Sequence, residues 1–145
     1  MSYNLFLDDL RDPKNAYITS TEDVCGTIMI GKSLETISGV SNDDWVVVRN
    51  YDRFVEEIEK HGLPDAVSFD HDLHYEHIKH YYKVTEPTGV IEYGNLKYKT
   101  GKHCAEYFVQ KCKEQQTENL PQVFIHSANR YGAVEIKKVL SQIYD

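Results

Sequence analysis

Three short apolar runs in this chain each stop abruptly at hydrophilic, ionisable residues. Asn4-Leu5-Phe6-Leu7 runs into Asp8-Asp9-Leu10-Arg11, Ala66-Val67-Ser68-Phe69 into Asp70-His71-Asp72, and Gln122-Val123-Phe124-Ile125 into His126-Ser127-Ala128-Asn129. Runs of this length, rich in β-branched and aromatic residues and bounded by turns such as Gly62-Leu63-Pro64, read as buried strands. Carboxylates and imidazoles at the end of a buried strand are costly to desolvate unless paired, protonated or bound to a cation. A parallel sheet gathers its strand ends at one edge, where open α/β sheets bind ligands, so the three runs predict three walls of one site.

The rest of the chain supports that architecture. Trp45-Val46-Val47-Val48-Arg49 reads as a fourth strand, and a helix follows it with Asn50 or Asp52 as cap, an apolar stripe of Phe54, Val55, Ile58 and Leu63, and a stop at Gly62-Leu63-Pro64. Thr100-Gly101 opens a helix carrying Cys104, Tyr107, Phe108 and Cys112, and Gly132 onward reads as a last helix. Strands alternating with helices imply a parallel sheet with right-handed crossovers. The expectation is one α/β domain over residues 1–145, a three-layer sandwich, with insertions at about 16–43 and 74–98. Short strands or a hairpin are expected around Tyr17, Thr27 and Leu34, and a second hairpin at Gly94-Asn95.

Net charge is −7. That balance argues against duplex DNA as the partner, because non-specific binding there rests on basic patches. A small phosphorylated ligand held by a metal and a few arginines remains compatible. The cysteines, Cys25, Cys104 and Cys112, are odd in number and lack CxxC spacing, which argues for reduced thiols. No apolar run reaches membrane-span length and no signal peptide opens the chain, so the expected place of work is the cytoplasm. The residues do not address oligomeric state.

Asp8, Asp9 and Asp70 form the strongest constellation. Three converging carboxylates repel one another unless a hard cation neutralises them, which predicts a Mg²⁺ or Mn²⁺ site gripping a phosphoryl group. In the structural alternative, Asp9 caps a helix and Asp70 pairs with Arg49 or Arg11. His71 and His126, following two strands, are candidate acid–base catalysts. Replacing His126 with Ala is then expected to cost orders of magnitude in rate and leave the fold intact. Arg11, Arg49, Asp72, Lys99, Ser127 and Asn129 are candidate substrate-binding groups. The imidazoles of His71, His74, His77 and His80 recur every third residue within a tyrosine-rich stretch, which is read as a mobile insertion rather than a zinc site. Gly26-Thr27-Ile28-Met29-Ile30-Gly31-Lys32-Ser33 matches a phosphate-binding loop literally, but its middle residues look like a strand, and it is read as coincidence.

The segments Leu5–Pro13, Trp45–Tyr51, Ser68–Leu73, Lys99-Thr100-Gly101 and His126-Ser127-Ala128-Asn129 with Gly132 resemble the cyclic-phosphate-processing receiver domain family of phages and bacteria. The resemblance implies a receiver-like (flavodoxin-like) fold. Asp8 and Asp9 match the receiver's metal-binding acidic pair, Asp70 its phospho-accepting aspartate, and Ser127 its hydroxyl residue at the end of the fourth strand. A fifth receiver strand with its lysine has no evident counterpart. The implied activity is metal-dependent hydrolysis of a cyclic phosphate, on a 2′,3′-cyclic RNA end or a cyclic nucleotide, in the host cytoplasm if phage-encoded. Two alternatives are a phospho-accepting signalling receiver and a non-catalytic phage protein that binds a nucleotide or a host protein.

Overall fold

The computed structural model describes residues 2–18, 32–116 and 118–144. Four strands form one parallel sheet: β1 (Asn4–Leu7), β2 (Val46–Val48), β3 (Ala66–Phe69) and β4 (Gln122–Ile125), in the order β2-β1-β3-β4. That is the order of the first four strands of a doubly wound flavodoxin-like sheet. No fifth strand joins it among the described residues.

Period-two alternation sorts the core. Leu5, Leu7, Val67, Phe69, Val123 and Ile125 face one side, where Phe54 and Ile58 of α2 (Tyr51–His61), Phe108 of α5 (Gly101–Gln115) and Ile136 and Leu140 of α6 (Arg130–Leu140) cover them. Phe6, Ala66 and Phe124 face the other side. Ala16, Ile18, Leu34 and Trp45 cover that face, so the first insertion completes the third layer with a short helix, α1 (Leu34–Ser38). The expected strand or hairpin at Leu34 is therefore helical, because the Ser33 hydroxyl accepts from the Thr36 amide and caps the turn. Tyr17 pairs with Ser33 in an isolated antiparallel bridge. Cys25, the strand expected at Thr27–Ile30 and most of the phosphate-loop look-alike lie outside the described residues.

The helix starts follow their caps. Asn50 accepts from the Arg53 amide at 2.9 Å to begin α2, and Asn129 from the Gly132 amide at 2.9 Å to begin α6. At α5, Thr100 accepts from the Lys102 amide while His103 Nδ1 accepts from the Thr100 amide, a reciprocal cap. Gly62, at φ +83°, ends α2.

The second insertion is helical rather than hairpin-like. It holds α3 (Tyr75–His80), a π turn (Tyr81–Thr85), α4 (Glu86–Thr88) and a single 3₁₀ turn at Tyr93–Asn95. The amides of Lys97 and Tyr98, which a hairpin would use in a ladder, donate instead to the Glu76 carboxylate at 2.8 and 3.0 Å. His77 is buried in this layer, its Nδ1 accepting from the Leu73 amide and its Nε2 facing the Tyr98 carbonyl, so it serves structure. Cys104 and Cys112 are buried free thiols. No helix among the described residues is long and apolar enough to cross a membrane.

Candidate functional site

The ladder extends one residue past three strands, and those residues form the site. The Asp8 amide donates to the Val48 carbonyl at 3.1 Å, Asp70 to Leu7 at 3.1 Å and His126 to Phe69 at 3.0 Å. Phe6 pairs with Ser68 and Phe69 with Ile125, so Asp8, Asp70 and His126 fall side by side and in register. Side chains in register on neighbouring strands share a face. One donor atom from each of the three lies within 4.8 Å of the others, and all three residues are buried.

His126 is the floor of this cluster. It is fully buried, its ring lies flat on Phe6 at 4.5 Å between centroids, its Nδ1 meets Ser68 Oγ at 2.7 Å, and its Nε2 meets Asp8 Oδ2 at 3.1 Å. Burial lowers its pKa, so the ring is neutral at physiological pH. Burial also works to raise Asp8, but hydrogen bonds from His126 and from the Arg11 and Leu10 amides outweigh it and hold that carboxyl at about 2. Asp70 goes the other way. Burial first and the charge of Asp8 second push it well above the usual carboxylate range, with Arg11 offsetting only part.

Arg11 crosses the cluster. Its Nε donates to Asp8 Oδ2 at 2.9 Å and its Nη2 to the His126 carbonyl at 3.0 Å, with Nη2 3.6 Å from Asp70 Oδ1. Arg49 holds the turn from outside, donating to the carbonyls of Asp8 and Arg11 and to the Asp12 carboxylate. The structural alternative for Asp70 is thus a partial pairing with Arg11, and Arg49 pairs with Asp12.

His71 is also enclosed. Its Nδ1 meets Asp72 Oδ1 at 2.7 Å and its Nε2 meets the Tyr93 hydroxyl at 2.9 Å. Asn129 Nδ2 donates to the same Asp72 oxygen at 3.2 Å. Burial would raise Asp72, but these hydrogen bonds, His71 foremost, bring it below its ordinary value. Neither imidazole has a ring nitrogen without a partner, so both are placed to orient carboxylates. If Tyr93 fixes His71, Tyr93→Phe leaves a buried ring nitrogen unpaired and is expected to cost about 1 kcal/mol in urea unfolding. An unchanged unfolding midpoint would show that the hydroxyl contributes nothing.

Two helix starts press on residues 70 and 71, one on their backbone and one on the His71 side chain, and glycine is required at each. The Gly101 amide donates to the His71 carbonyl at 2.8 Å, and a Cβ at Gly101 would lie 1.7 Å from the Asp70 carbonyl oxygen. A Cβ at Gly132 would lie 2.3 Å from His71 Cγ. Gly101→Ala drives a methyl into backbone, and its expected cost is about 3 kcal/mol, read from guanidinium unfolding. Stability equal to the wild type would refute this packing.

A cleft of about 280 Å³ opens over the cluster, lined by Asp8, Asp9, Arg11, Asp70, Asp72 and Asn129, with Leu10, Ile78 and Ala128. Of the candidate substrate-binding residues, Arg11, Asp72 and Asn129 reach it. Asp9 lines its wall, but its carboxylate is not among the three converging donors, a place taken by His126. Burial and Asp8 raise the Asp9 pKa. Arg49 and Lys99 lie in an adjoining groove. Ser127 is buried, its Oγ accepting from the Asn129 amide in a tight turn. Ser68 and Phe6, which hold His126, escaped notice in the sequence because both read as ordinary strand residues. Tyr93 carries no local signal of its role.

A parallel sheet in this order, with a carboxylate-rich pocket at the carboxyl ends of its strands, defines a receiver-like α/β domain. The family described as Cyclic-phosphate processing Receiver domain matches residues 3–142, and the chain belongs to it. Searches of the curated proteins and of the solved structures gave no match.

Proposed function

We propose that this protein hydrolyses a cyclic phosphodiester with the aid of a divalent cation. The observation that carries the reading is the register-matched, buried trio Asp8, Asp70 and His126, whose donor atoms lie within 4.8 Å of one another. The donor set fits a cation. Two carboxylates suit Mg²⁺ or Mn²⁺, and one imidazole tilts the choice to Mn²⁺. The Ser68 hydroxyl can donate to or accept from His126 Nδ1, so it would accept from Nδ1–H in the tautomer whose Nε2 is a ligand to the ion. Asp8, Asp70 and His126 would hold the ion, which when bound polarises the phosphorus centre and neutralises a non-bridging oxygen.

The chain's own groups do the rest. Among the described residues the contacts of Arg11 with Asp8, His126 and Asp70 use Nε and Nη2, and Nη1 would donate to a phosphoryl oxygen. Asp9, with a raised pKa at the cleft wall, takes the proton of the attacking water. Asp72, clamped through Oδ1 by His71 and Asn129, leaves Oδ2 to orient that water. The new P–O bond forms to water, one ring P–O bond breaks, and the released ribose oxygen collects the proton. The test is turnover of 2′,3′- and 3′,5′-cyclic nucleotides and of cyclic-ended RNA with Mg²⁺ or Mn²⁺. Ring-opened phosphate esters are the expected product, and inertness toward every cyclic phosphodiester with both metals overturns the reading.

A second reading has one specific observation in its favour: Asp70 directly follows β3, the position that the receiver resemblance gives to a phospho-accepting aspartate. Acetyl phosphate with Mg²⁺ would then add one stable phosphoryl group by intact mass, lost in Asp70→Asn.

A further inference from the structure

The acidic cleft is small, and its lining is dominated by carboxylates. At about 280 Å³ it falls just short of the range for small-molecule sites, roughly 300–1,000 Å³, and has room for a phosphate and its ring. A larger groove adjoins it. Asp9 is shared between the cleft and a groove of about 540 Å³ that also includes Arg49, Tyr51, His74, Tyr98 and Lys99. A second hollow, bounded by Asp72 and Asn129, is smaller at about 220 Å³ and holds no cationic side chain.

The groove pairs aromatic shelves with cations. Lys99 Nζ sits 4.3 Å from the ring centroid of Tyr51. Tyr98 stacks on His74 at 3.9 Å, 19° from parallel, and stays 44% exposed. The shelf is held before any ligand arrives. The Glu76 carboxylate accepts the amides of Lys97 and Tyr98, and His74 caps α3 through its Nδ1. A fixed, half-exposed ring flanked by Lys97 and Lys99 suits a flat heteroaromatic group joined to a phosphate.

We propose that this groove, whose aromatic shelf comes from the second insertion, binds the nucleobase and sugar of the ligand whose cyclic phosphate occupies the acidic cleft, with the base stacked on the Tyr98–His74 shelf. The inference rests on the phosphoesterase reading for its reaction but not for its binding site. One chemistry, a nucleoside 2′,3′-cyclic phosphate, has two sources: a free mononucleotide or an RNA 3′ end.

The experiment compares Tyr98→Ala and Tyr98→Phe on 2′,3′-cyclic AMP, on a short RNA ending in a 2′,3′-cyclic phosphate, and on base-free ribose cyclic phosphate. Tyr98→Ala is expected to raise KM about tenfold or more on the base-bearing substrates, with kcat within about twofold and no change on the base-free one. Tyr98→Phe should behave as wild type. A loss confined to the mononucleotide or to the RNA identifies the source. Calorimetry with adenosine 3′-monophosphate separates this claim from hydrolysis. Binding to the wild type that Tyr98→Ala abolishes sustains the groove even if nothing is turned over. Equal binding of the monophosphate by wild type and Tyr98→Ala, or equal wild-type affinity for ribose 5-phosphate, overturns it.

Discussion

Asp70→Asn is expected to unfold at a higher temperature than the metal-free wild type at pH 8, and to lose activity by about a thousandfold or more. Both effects have one cause. Burial and the neighbouring Asp8 raise the folded-state pKa of Asp70 above its unfolded value near ~3.9. A carboxyl with a raised folded pKa binds its proton more tightly when folded, so it favours the fold at low pH. That contribution disappears as pH rises through the folded value, and above it the buried charge weighs against folding. Asparagine keeps the shape and removes the charge. A divalent ion does the converse in the wild type: at a hundred times its Kd it stabilises by about 2.7 kcal/mol, roughly 8 °C for a domain of this size. Thermal melts with and without Mn²⁺ check this. A metal-free Asp70→Asn that melts below wild type, or that gains the same shift from Mn²⁺, contradicts it.

His126→Ala is expected to cost about 3–5 kcal/mol, against the expectation from sequence that the fold would stay intact. The ring is fully buried and stacked on Phe6, so its loss opens a cavity in the core. It also strands the buried Ser68 Oγ and leaves Asp8 Oδ2 with Arg11 alone. Urea unfolding of the purified variant measures this directly. A midpoint equal to wild type would mean that the ring does not pack as described. Lost activity in this variant reports on folding as much as on chemistry, which makes Asp70→Asn the cleaner probe.

The sheet was legible because its strands are short apolar runs with abrupt ionisable ends, and the helix starts at Asn50 and Thr100 obey local rules, whereas Asn129, read as a substrate-binding group, proved to be the cap of the last helix. The meeting of the three strand ends was legible for the same reason, since a parallel sheet puts strand ends together, but the sequence put Asp9 beside Asp8 and Asp70 where the structure has His126. What side chains do once there was not. His71 and His126 look like acid–base catalysts in a string of letters, and only three-dimensional packing shows Tyr93, Ser68 and Phe6 closing on them. The second insertion misled because Gly94-Asn95 is a hairpin signal, whereas the deciding contact, Glu76 to the amides of Lys97 and Tyr98, spans more than twenty residues. Ser127 reads as a phosphate ligand but is buried by the turn it makes with Asn129.

The central claim is that three adjacent strand ends form one cation site. Electron paramagnetic resonance of Mn²⁺ titrated into the protein tests it most directly. One ion bound per chain in the wild type, and none at the same concentrations in Asp8→Asn, is the predicted result. No bound Mn²⁺ in the wild type, or binding unchanged by the substitution, would contradict it.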